Sequence, residues 1–122
     1  MGERRAARFE LFPADELGPG EMRAVVVDGR SVALVRTQAG DLHALRDVCP
    51  HQGAPLSRGY VDVAVRSDGV GRYLESGQYA VRCPWHGHEF AVETGRCLAD
   101  PERIRVRAYP VGVEDGTIVI WC

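Results

Sequence analysis

Lysine and asparagine are absent from the 122 residues, so all 15 basic side chains are arginine. That bias reads as a property of the source genome's composition, not of function. No run of 18 apolar residues occurs, so hydropathy offers no helical membrane span. No sign of charge dominates either: 15 basic and 17 acidic residues leave a net charge of −2. Electrostatics therefore make no case for nucleic acid or a membrane as partner. Arg4-Arg5 could open a twin-arginine leader, but Glu10, Asp15 and Glu16 stand where an apolar stretch should follow. The cytoplasm is the expected compartment. Low-complexity tracts and internal repeats are also missing, as is any sustained helical period.

What is present reads as strands and turns. The length suits one domain over 1–122, able to bury roughly two-thirds of its unfolded surface. Residues 1–8 are charged and expected to fray, and 13–20 read as a turn-rich connector. Apolar runs at 23–27 and 30–35 flank Asp28-Gly29, a two-residue hairpin signal. Gly40-Asp41 turns the chain into a strand at 42–45, with His43 as a surface or half-buried strand residue. Further strands are expected at 60–65, 79–82, 89–92, 105–109 and 117–121, with turns at Thr94-Gly95 and Asp115-Gly116. Between them, Ser67 to Gly71 and Ser76-Gly77 look like flexible punctuation. Residues 66–78 fit either a protruding hairpin or flap, or a disordered surface insertion. The fold class is all-β.

Two stretches carry the chemistry. Cys49-Pro50-His51-Gln52-Gly53 and Cys83-Pro84-Trp85-His86-Gly87 each pair a thiolate with an imidazole in a Pro/Gly setting that reads as a loop. The C-x-H and C-x-x-H spacing points to a [2Fe–2S] site, with Cys49 and Cys83 on one iron and His51 and His86 on the other. Proline stiffens each loop, and Gly53 and Gly87 let backbone N–H groups approach sulfide. Zinc takes the same ligands, though its sites more often pair C-x-x-C with H-x3-5-H. A two-disulfide scaffold would use the four cysteines but leave the histidines unexplained. Spacing alone leaves these three readings open.

Longer stretches carry a family resemblance. Val48-Cys49-Pro50-His51-Gln52-Gly53-Ala54-Pro55-Leu56 resembles the first cluster loop of Rieske proteins. Cys83-Pro84-Trp85-His86-Gly87-His88-Glu89-Phe90, followed by Glu93-Thr94-Gly95, resembles the second loop and its turn. The tail from Tyr109 through Gly116 is similar to a Rieske ending, and the resemblance runs from about Val25 onward. It implies small stacked antiparallel sheets with both cluster loops at one tip. It also implies one [2Fe–2S] cluster held by Cys49, His51, Cys83 and His86, with the outer imidazole nitrogens giving the electron its route.

Two departures bear on the potential. Where high-potential Rieske proteins place an extra disulfide, this chain has Ala54 and Trp85. Where they place hydroxyl donors to the cluster sulfurs, it has His88 and Phe90. A potential near the low end of the Rieske range follows, about −150 mV. Trp85 is expected to shield the cluster, help form a docking surface or simply pack over the loop. His88 is expected as an exposed polar residue, Cys97 as a buried thiol and Cys122 as a terminal thiol.

The expected function is a soluble one-electron carrier, taking electrons from a flavin reductase to an oxygenase or another redox enzyme. The alternatives are a small Rieske subunit of a larger oxidoreductase, such as an assimilatory nitrite reductase, and more distantly a structural zinc module. A self-contained oxygenase would need a mononuclear iron on two histidines and a carboxylate. With the cluster built, His43 and His88 alone remain. No catalytic residue is expected, and neither nucleic acid nor membrane is an expected partner.

Overall fold

The computed structural model describes residues 6–50, 53–67, 73–84 and 88–122, with side chains described for these except 63–67 and 73–78. The described residues form ten strands: β1 (Arg8–Pro13), β2 (Met22–Val27), β3 (Arg30–Arg36), β4 (Leu42–Arg46), β5 (Tyr60–Ser67), β6 (Tyr73–Arg82), β7 (Glu89–Ala91), β8 (Ala108–Tyr109), β9 (Val111–Glu114) and β10 (Thr117–Trp121). Single 3₁₀ turns at Ala14–Glu16 and Leu56–Arg58 are the helical elements among the described residues. The all-β expectation holds. None of these helices is long and apolar enough to cross a membrane.

The strands form three antiparallel sheets, in the orders β1-β10-β9, β2-β3-β4-β8 and β5-β6-β7. The second sheet is the middle layer, because successive side chains of a strand point to opposite faces. On β3, Val32 and Leu34 enter one core with Ile118 and Ile120 of the first sheet. Val35 on the other face enters a second core with Val61, Val81 and Phe90 of the third sheet. β4 divides likewise, Ala44 into the first core and Leu45 into the second. Each fully buried Leu, Ile or Phe stabilises the stack by about 1.5–3 kcal/mol before entropy is counted.

Several expectations shift. Of the stretch 1–8 expected to fray, Ala7 exchanges both backbone hydrogen bonds with Cys122 at 3.1 Å and Arg8 begins β1, while residues 1–5 lie outside the described residues. Cys122 is thereby tied down and half-buried. Ser76-Gly77 lies inside β6 at an irregularity in the β5–β6 ladder, where the register shifts between Val63↔Tyr79 and Val65↔Glu75. The strand expected at 105–109 reduces to β8, with Arg105 making a lone bridge to Arg96. Around 66–78 the β5–β6 ladder continues out to Ser67↔Tyr73, and 68–72 lie outside the described residues.

Candidate metal centre

Both cysteine-bearing loops leave the same end of the β5-β6-β7 sheet. The first loop runs from β4 through Leu56–Arg58 into β5, and the second joins β6 to β7. Tyr60 pairs with Arg82 at the start of the β5–β6 ladder, which brings the two loops side by side. Gly59 tightens that approach, since a Cβ there would fall on the Arg82 carbonyl oxygen, one residue before Cys83.

Each loop is closed by its own backbone. In the first, the Cys49 N–H donates to the Ala54 carbonyl and the Gly53 N–H to the Cys49 carbonyl, both at 2.7 Å. Gly53 sits at φ 77°, a left-handed conformation that glycine adopts without a Cβ penalty. Its own N–H is used within the loop, not donated to a sulfide. In the second, the Cys83 N–H donates to the His88 carbonyl at 2.7 Å.

A further clamp spans the first loop. Asp47, 7% exposed, accepts the Ser57 N–H at 2.7 Å on one carboxylate oxygen and the Ser57 hydroxyl at 2.6 Å on the other. Its own N–H donates to Ser31 on β3 at 3.0 Å. Asp47 is thus a buried tie across the loop carrying Cys49. An acid before the loop and a serine after it were the available signal, but turn residues of that kind are common.

Cys49 is 0% exposed and Cys83 2% exposed, and both belong to one apolar cluster with Leu56, Val81 and Phe90. All four cysteines are described and none forms a disulfide, which removes the two-disulfide scaffold. Two buried thiols on adjacent, self-closed loops fit one iron of a [2Fe–2S] centre, with imidazoles required for the other. His51 and His86 lie outside the described residues, as do Trp85 and Gly87. Among the described residues no group of three or more His, Cys, Asp or Glu could hold a metal.

The remaining residues fall as follows. Cys97 is fully buried in the same apolar cluster, as expected. His43 is half-buried on β4, and burial lowers its pKa from the ordinary value of 6.5, partly opposed by Glu93 and Asp41. His88 is half-buried, not exposed, and its carbonyl accepts the Cys83 N–H.

Comparison with known proteins places the chain. The profile of the Rieske [2Fe-2S] domain matches residues 7–110. The naphthalene 1,2-dioxygenase system ferredoxin component of Pseudomonas putida is 31% identical over 112 residues, covering 92% of each chain. The 4beta-methylsterol monooxygenase of Methylococcus capsulatus is 34% identical over 111 residues, 84% of this chain, which spans 26% of that larger protein. A crystal structure described as an NADH-dependent nitrite reductase small subunit from Mycobacterium tuberculosis superposes with a TM-score of 0.82 at 32% identity, covering 96% of each chain. The chain belongs to the Rieske [2Fe-2S] domain family. It is a [2Fe–2S] protein that carries single electrons between redox proteins.

Proposed function

We propose that Cys49 and Cys83 hold one iron of the cluster and His51 and His86 the other, within a single domain spanning 1–122. Cys49 and Cys83, buried in one apolar cluster on two side-by-side loops, are the observation that carries this reading. Bound there, the cluster would supply a reversible one-electron step. The residues around it do the rest. The backbone bonds of both loops and the Asp47–Ser57 tie would hold Cys49 and Cys83 in place, which would keep reorganisation on reduction small. Leu56, Val81 and Phe90 exclude water from the thiolate side.

The partners are a flavin reductase as donor and an oxygenase or other redox enzyme as acceptor, in the cytoplasm. Near-complete mutual coverage with a dioxygenase-system ferredoxin supports this arrangement. Equally full coverage with a nitrite reductase small subunit supports a second reading, in which the chain is the Rieske subunit of a larger oxidoreductase. Purification from native cells separates the two. A carrier elutes alone, whereas a subunit elutes with a stoichiometric large flavin or haem chain.

Single substitutions test the ligand set. Cys49→Ser, His51→Ala, Cys83→Ser and His86→Ala should each abolish the native visible spectrum and lower bound iron, while His43→Ala and His88→Ala should retain both. A ligand variant with native iron and spectrum would remove that residue from the set.

A further inference from the structure

Five arginines lie along connected segments that reach the first loop at Val48. Along 104–107, Ile104 and Val106 turn into the core while Arg105 and Arg107 stand exposed. Arg96 lies directly opposite Arg105 in an antiparallel bridge, so the two side chains share a face. The Arg46 N–H donates to the Arg107 carbonyl at 2.8 Å, joining β4 to this strip. Arg30, Ser31, Arg46, Val48 and Arg107 then line one concavity of about 280 Å³. The Arg107 guanidinium lies over the ring of Tyr109 there, 5.3 Å from its centre.

The charge of this face is unbalanced. Arg30 has a carboxylate in reach, Asp28 at 3.4 Å. Among the described residues, Arg46, Arg96, Arg105 and Arg107 form no ion pair. Asp47, the acid nearest in sequence, is buried with both oxygens engaged by Ser57. A chain of net charge −2 therefore presents a cationic face, and Val48 on its rim is the residue before Cys49.

We propose that this arginine face is the docking surface for a redox partner that presents carboxylates, one of them entering the concavity between Arg46 and Arg107. The inference rests on the electron-carrier reading and adds the charge of the partner. Guanidinium groups in water give up little on docking and meet carboxylates in bidentate pairs. Opposite charge also raises the rate of productive encounter. A protein fits better than the other anionic surfaces. Tyr109, the aromatic ring here, is 6% exposed and offers no stacking platform for nucleic acid bases. The exposed large apolar residues among those described are Val26, Tyr60, Leu98 and Val113, and none lines this concavity to anchor it in lipid.

Two measurements on the holoprotein test the proposal. In the first, dithionite-reduced protein passes one electron to hexacyanoferrate(III), giving hexacyanoferrate(II), or to the cation hexaammineruthenium(III), giving its ruthenium(II) form. The anionic oxidant should slow by about three- to tenfold between about 0.02 and 0.5 M salt, the cationic one should not. In Arg46→Gln/Arg105→Gln/Arg107→Gln the low-salt rate with hexacyanoferrate(III) should fall to the high-salt value. In the second, hexaglutamate peptide should shift the backbone amides of Arg30, Arg96, Arg105 and Arg107 at low salt. A hexacyanoferrate(III) rate insensitive to salt in the unsubstituted protein, or peptide shifts confined to other faces, would overturn the proposal. Retention on phosphatidylserine vesicles, or duplex DNA binding tighter than about 1 μM at about 0.15 M salt, would overturn it in favour of those surfaces. A preparation without the cluster's spectrum would sink the electron-carrier reading instead, while the peptide titration still reports on the face.

Discussion

Asp47 closes the loop that carries Cys49 by accepting both hydrogens that Ser57 offers. Removing the carboxylate leaves the half-buried Ser57 N–H and hydroxyl without this acceptor, which costs about 1–3 kcal/mol. Asp47→Ala should show that loss in urea unfolding, together with faster release of iron to a chelator. Unchanged stability would mean the tie is dispensable. His43 offers a pH test. Burial lowers its folded pKa below the ordinary 6.5, so the unfolded chain binds the proton more readily. The stability His43 contributes is present above 6.5 and is lost as pH falls through the folded value. Unfolding midpoints of the native chain should drop across that window relative to His43→Gln, and parallel curves would refute the assignment. At this scale the proposed ligands stand out in the sequence because cysteine and histidine are few and their spacing is chemical. Asp47 does not, since its burial depends on where Ser57 and Ser31 end up.

Among elements, the two-residue turns were the clearest signals. Asp28-Gly29 and Asp115-Gly116 both adopt positive φ, at 51° and 76° and at 51° and 77°, as tight hairpins with the right twist require. β1 was missed because its partner is β10 at the opposite end of the chain, and no local pattern records a pairing that distant. β9 was missed because its four residues fall between Pro110 and the Asp115-Gly116 turn and include Gly112. Gly59 is the element-scale residue that matters most for the site. Gly59→Ala places a methyl group on the Arg82 carbonyl and must push β6 away from the first loop. The expected outcome is a destabilisation of about 1–3 kcal/mol with reduced iron per chain. Full iron content at native stability would show that the close approach is not needed to align the loops.

The whole molecule is a three-layer stack whose middle sheet feeds a core on each face, with the cysteine loops at the end of one outer sheet. The layer order was not legible in the chain, because which face of β3 meets which sheet is settled by long-range packing. The class of protein was, through the two loops. Ala54 and Phe90 supply no sulfur or hydroxyl near the site, and both are buried. A redox titration should therefore find a midpoint near the low end for such centres, about −150 mV, and a positive value would contradict the link between missing donors and low potential. The most direct measurement for the central claim is the electron paramagnetic resonance spectrum of the dithionite-reduced protein, taken with total iron, sulfide and zinc. The account predicts a single rhombic signal whose average g lies below that of all-thiolate [2Fe–2S] centres, with about two irons and two sulfides per chain. A silent sample containing one zinc per chain would contradict it, and the electron-carrier function would fall with the cluster.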